Sequence, residues 1–164
     1  MKELLEKLSS YNIFNYLLPG TVFVVLLERI SNHNLLQKDI LVGVFLYYFI
    51  GLVISRIGSV IIEPFLKWIG FLKFTEYPKF IAASKIDTKI DLFNEVNNMY
   101  RTIVSLFFAL GLVMIYDAYL LNISFFKEYI KAIFFVLSLL LFVFSYRKQT
   151  NYIIKRVEST NIDK

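Results

Sequence analysis

Apolar residues in this chain gather into four long runs, at about 13–30, 40–62, 102–121 and 129–146, and polar residues gather between them into segments of very unequal length. A helix rises about 1.5 Å per residue, so roughly 20 residues cross a hydrocarbon layer about 30 Å thick, and each run predicts a spanning helix. The expected fold is therefore all-α, a four-helix membrane bundle. Ahead of the runs, Met1 to Ser10 reads as a short amphipathic helix at the membrane surface, with Leu4, Leu5 and Leu8 opposite Lys2, Glu3, Glu6 and Lys7. The first span has its core from Ile13 to Leu27, and Pro19-Gly20 is expected to kink it, either as a packed kink or as a mobile break.

The second run is the most informative. From Gly51 to Lys67 it picks up small residues, then Arg56 and Glu63, and it is expected to stop at Pro64. Ile40 to Ile54 covers roughly 22 Å, so the layer extends to about Ser59 and Arg56 falls at its inner boundary. From Pro64 to Ser84, Trp68, Phe71, Phe74, Tyr77 and Phe80 are interleaved with Lys67, Lys73 and Lys79, as in a segment lying at headgroup level. Gly70 and Pro78 are expected to interrupt any long helix there.

Helical periodicity resumes at Lys85. Ile86, Ile90, Phe93, Asn97 and Tyr100 form one stripe and Leu92, Val96, Met99 and Ile103 a second, which implies two packing neighbours. No breaker separates this segment from the third run, so one helix is expected to carry straight on through it. The fourth run is apolar all round, which suits the face most exposed to lipid, and its helical pattern persists past Arg147-Lys148 to Val157.

Composition strengthens the membrane reading. Hydrophobic residues make up 57% of the 164 and aromatic residues 18%, with a mean hydropathy of +0.60, more apolar surface than a soluble domain of this size can bury. No cysteine and a single histidine exclude a disulfide framework, a thiolate metal site and a multi-histidine cluster, and no cofactor is called for. Without a repeat or a long linker, 1–164 is expected to form one domain. The first run ends in Leu27-Glu28-Arg29-Ile30 without a small-residue cleavage site, so it is expected to stay in the mature protein.

Charge then sets the expected topology. The two short turns hold only Arg29, Lys38, Lys127 and Lys131 of the 18 Lys and Arg residues, balanced by Glu28, Asp39, Asp117 and Glu128. The other side carries the whole net charge of +5, so both termini are expected in the cytosol, with about 63–101 and 147–158 as cytosolic helical extensions. That face attracts anions, whether lipid headgroups or a dedicated ligand.

Among candidate residues, Gly51, Ser55 and Ser59 form a small-residue ladder that lets helices approach closely, within one subunit or between subunits, together with Pro19 and Gly20. Arg56 and Glu63 are seven apart and are expected to share a helix face. With Ser59 they could line the mouth or gate of a pore, or else Arg56 reaches lipid phosphate and Glu63 pairs with Lys67. The stripe of Ile86, Ile90, Phe93, Asn97 and Tyr100 is read as either bundle core or a cytosolic oligomerisation surface, with Asn97 setting register. Lys85, Lys89, Arg101, Arg147 and Lys148 are candidate contacts for an anionic ligand. No HExxH, nucleophile elbow or paired-carboxylate arrangement is present, and the chain is read as a non-enzyme.

The opening Tyr11-Asn-Ile-Phe-Asn15-Tyr-Leu-Leu-Pro19-Gly20, the Ser55-Arg-Ile-Gly-Ser59 to Glu63-Pro64 stretch and the four-span layout resemble small membrane effectors of bacterial anti-phage defence operons, such as the nucleotidyltransferase-linked Hailong type. The resemblance implies an effector that forms a homo-oligomer in the inner membrane, a tetramer being favoured. It also implies control by a nucleotide, an oligonucleotide or a soluble operon partner on the cytosolic side, and depolarisation of the infected cell. A non-conducting membrane anchor or sensor for a soluble partner is the alternative.

Overall fold

A computed structural model describes residues 12–161, so the predicted surface helix at Met1 to Ser10 lies outside the described residues. The described chain is all helical, without a strand, and has five long helices, α1 Ile13–Ile30, α2 Ile40–Trp68, α3 Tyr77–Ile86, α4 Lys89–Ala118 and α5 Ser124–Asn161, with a single 3-10 turn at Leu120–Asn122 between the last two. Four of them, α1, α2, α4 and α5, are long and apolar enough to cross a membrane. α4, with 30 residues, and α5, with 38, are about 45 and 57 Å long, well beyond the thickness of a hydrocarbon layer. As expected, each runs without a break from its apolar segment into a charged extension.

The two short turns meet at one end of the bundle. Asp39 caps α2 by accepting from the Val42 amide at 3.0 Å, and Tyr47 Oη accepts from the Gln37 amide at 2.9 Å. His33 Nε2 lies 2.9 Å from Asp117 Oδ1, which ties the α1–α2 turn to the last turn of α4. The extensions of α2, α4 and α5 and all of α3 therefore lie toward the opposite end.

The three prolines occupy different places in these helices, and Pro64 departs from expectation. Pro64 does not end α2: the helix widens into a π turn over Gly58–Ile62, resumes at Glu63 and continues to Trp68. α1 does the same, with a π turn at Ile13–Leu17 followed by Pro19 in the first turn of the α segment. A proline has no amide hydrogen and crowds the carbonyl four residues back; the wider turn relieves the crowding without stopping the helix, and the missing amide leaves one carbonyl to be satisfied from elsewhere. Pro78 stands in the first turn of α3, the position where a missing amide costs nothing, so no single helix runs through 64–84, as expected. Gly70, at φ +77°, makes the turn that ends α2. A further break at Asp87–Thr88 separates Ile86, on α3, from the rest of its expected stripe on α4.

The core is built by α1, α2 and α4. Leu27, Ile54, Leu106 and Leu110 are buried together, with Phe23, Leu26, Ile50 and Val113 packed around them. Glycine brings α1 and α2 into backbone contact at two points. A Cβ on Gly20 would strike the Tyr47 carbonyl, and one on Gly51 would strike the Tyr16 carbonyl. α5 packs at the edge, through Phe142 stacked on Phe49 at 6.3 Å and Tyr152 against Tyr77 at 6.2 Å. The buried share of the most apolar window falls from 33% in α1 to 11% in α5, so the fourth apolar helix is the most exposed of the set.

Candidate functional site

Glu63 stands in the first turn after the π segment of α2, 5% exposed, where the apolar segments of α2, α4 and α5 give way to charged residues. Three cations converge on it. Its Oε1 accepts from Lys67 Nζ at 3.0 Å and from Lys148 Nζ at 3.2 Å, and its Oε2 accepts from Arg101 Nη1 at 2.7 Å. All three are charge-assisted, the Arg101 bond having the short length of the strong class, and together they join α2 to α4 and α5 at one carboxylate.

The π turn prepares this cluster. In its register the Glu63 amide bonds the Gly58 carbonyl, five residues back, so the next carbonyl in line, Ser59, faces residue 64. Residue 64 is proline and offers no amide. Lys148 Nζ donates to the Ser59 carbonyl instead, at 2.6 Å. One turn of helix thus supplies both the carboxylate and the open carbonyl that hold α5.

The same turn separates Arg56 from Glu63. In an uninterrupted α-helix seven residues return to nearly the same face, but the extra residue of a π turn adds about 100°. Arg56 points to α1, where its Nη2 donates to Tyr16 Oη at 3.2 Å, while Glu63 points to α4 and α5. The expected shared face is therefore corrected.

The small-residue ladder contacts a different helix at each rung. Gly51 meets α1, Ser55 faces α4 with its Oγ 3.4 Å from Thr102 Oγ1, and the carbonyl of Ser59 receives α5. Sequence reasoning did not assign Gly58 a packing role: a Cβ there would strike Ser105 Oγ and lie 3.1 Å from Arg101 Cγ, so the glycine is what lets Arg101 pass α2 to reach Glu63. Thr102 and Ser105, both fully buried, satisfy their hydroxyls within α4 on the carbonyls of Asn98 and Arg101. A small residue recurring every three or four positions was the available signal.

Of the five candidate contacts for an anionic ligand, Arg101 and Lys148 come together. Arg147 is exposed beside them, Lys85 is exposed in the last turn of α3, and Lys89 stands about 18 Å along α4 from Arg101. The expected oligomerisation stripe is not core of this chain: Ile86 is 88% exposed, Phe93 64% and Tyr100 61%, Asn97 is also exposed, and Ile90 alone of the five is half-buried. Aromatic rings line the cations, with Lys67 Nζ 3.9 Å from the Phe74 ring centre and Lys148 Nζ 5.8 Å from that of Tyr152. Among the described residues no three His, Cys, Asp or Glu side chains form a metal-binding group. What the site can do chemically is hold three helices together and present excess positive charge.

No family model, curated protein or solved structure matches this chain.

Proposed function

We propose that this chain is a multi-pass protein of the bacterial inner membrane that oligomerises and permeabilises or depolarises that membrane when a cytosolic signal reaches it. In this reading α1, α2, α4 and α5 cross the bilayer, and both termini and α3 lie in the cytosol. The observation that carries it is the knot at Glu63, which joins α2, α4 and α5 just where their apolar segments end. A ligand or partner that moves the extensions acts there on several spans at once, as a two-state element requires.

The open stripe on α4 supports assembly. Leu92 and Phe93 are 57% and 64% exposed and lie about two to three turns of helix before the apolar segment, beyond the reach of lipid in this reading, and Tyr100, 61% exposed, continues the stripe to the headgroup level. Their partner is a second copy presenting the same stripe, with Asn97 penalising a slipped register. An oligomer, with a tetramer favoured, supplies the aqueous path that four helices of one copy are too few to enclose. Anti-phage defence, with a nucleotide or a soluble operon partner as the signal, is the setting that the resemblance implies.

The test is membrane potential, read with a voltage-sensitive dye in bacteria expressing the chain alone from a tight promoter and beside its genomic neighbours. Depolarisation by the chain alone, suppressed by the neighbours, is the expected outcome. An intact potential during infection with every neighbour present overturns the effector reading. It would favour a non-conducting anchor or sensor, for which the structure offers an open groove between α3 and α5, lined by Tyr77, Phe80, Ile81, Tyr152, Ile153 and Arg156.

A further inference from the structure

The knot at Glu63 is charged out of balance: one carboxylate faces Lys67, Arg101 and Lys148. The imbalance is also spatial. The Glu63 side chain is 6% exposed, whereas those of Lys67, Lys148 and Arg101 are 40%, 25% and 19% exposed, so the acid is sealed inside and the cations reach the surface. Arg101 commits Nη1 to Glu63 and its Nε is buried, so the donors that reach outward are the partly exposed ammonium groups of Lys67 and Lys148, each of which has capacity for a further acceptor.

We propose that the outer side of this cluster binds a phosphate anion, presented by an anionic phospholipid of the cytosolic leaflet. The inference rests on the membrane reading above, since depth is what selects the lipid. The apolar segments of α2 and α5 end beside the cluster and that of α4 begins there, which sets the cations at headgroup level, with Trp68 and Tyr146 exposed nearby in sequence as interfacial aromatics. Phosphodiester oxygens meet the ammonium groups of Lys67 and Lys148 as point charges, with the Arg101 guanidinium adding positive charge behind them. Exposed Ile61 on α2 and Phe144 on α5 offer apolar surface to the acyl chains. Glu63 competes with the phosphate for the same three donors, so the acid sets how tightly the lipid is held.

The full chain is reconstituted into nanodiscs of phosphatidylcholine with a minor fraction of phosphatidylglycerol, and retained lipid is measured by native mass spectrometry. Wild type is expected to retain phosphatidylglycerol over phosphatidylcholine. One unit charge at a membrane surface is worth about 1 kcal/mol, so Lys148→Gln is expected to weaken retention about fivefold and Glu63→Gln to strengthen it about fivefold. Arg147→Gln removes the same formal charge from the neighbouring exposed position, which makes no contact with Glu63; if the lipid is held at the cluster rather than by surface charge in general, it is expected to change retention less than about twofold. Equal losses for Lys148→Gln and Arg147→Gln would mean diffuse surface charge and overturn the site. That comparison stands even if Glu63→Gln fails to fold, as checked by gel filtration.

Inorganic phosphate separates the two sources of the anion. Lipid retained against excess phosphate assigns the site to the phospholipid, as expected, and displacement overturns that assignment in favour of a free phosphate anion. Phosphatidylglycerol held no better than phosphatidylcholine, in discs that the protein does enter, removes the site and leaves the membrane reading intact. Failure to enter the discs removes both.

Discussion

Replacing Glu63 with alanine leaves Lys67, Arg101 and Lys148 facing one another around a space without an anion. Removing one partner from a fully buried ionic cluster costs about 3 kcal/mol or more, and here the cost is expected at about 1–3 kcal/mol because the three cations keep part of their contact with water. Lys67, 40% exposed in its side chain, contributes on the scale of a surface pair, so Lys67→Ala is expected to cost less than about 1 kcal/mol. Thermal unfolding in detergent checks the order, and equal losses for the two substitutions would show that the carboxylate is not the centre of the cluster. Only part of this site was legible beforehand. Glu63 and Lys67 are one helical turn apart, a spacing that pairs them on sight. Arg101 and Lys148 lie 38 and 85 residues along the chain from Glu63, and no local pattern distinguishes them from the other basic residues that flank apolar runs.

At the level of the element, glycine and proline determine how the helices meet. Gly51 exists to let the Tyr16 carbonyl in, so Gly51→Ala is expected to destabilise the protein by about 1–3 kcal/mol through overpacking. Gly111, in the interior of α4, has nothing within 4 Å of an added Cβ, and Gly111→Ala is expected to be neutral or stabilising by up to about 1 kcal/mol. The pair is compared by thermal unfolding, and a similar loss at both sites would mean that helix propensity rather than α1–α2 contact governs the response. The small-residue ladder was readable as close packing because small-xxx-small spacing has a direct steric meaning. The π turns were not. Whether a proline ends a helix or is carried through by one wider turn depends on what catches the carbonyl it orphans, and at Ser59 the catch is a lysine from α5.

For the whole molecule, the test of assembly is cross-linking, made simple because the chain has no cysteine. With single cysteines introduced in membranes under mild oxidation, Phe93→Cys and Tyr100→Cys are expected to give disulfide dimers. Phe134→Cys, 69% exposed on the apolar segment of α5, is expected to give none. Dimers at Phe134 but not at the α4 positions would move the interface to α5. The sequence by itself determined the helical class, the four apolar runs, the two short turns and the unbroken passage of α4 and α5 into their extensions. Those features depend on hydrophobicity and periodicity, which act over a few turns and are written in order along the chain. The tertiary structure decided which face each helix presents. One extra residue in a π turn rotates everything beyond it by about 100°, and so Glu63 turned from the side of Arg56 to meet Arg101 and Lys148. A rotation of that kind is fixed by hydrogen bonds made across the bundle, between residues that become neighbours only when it folds.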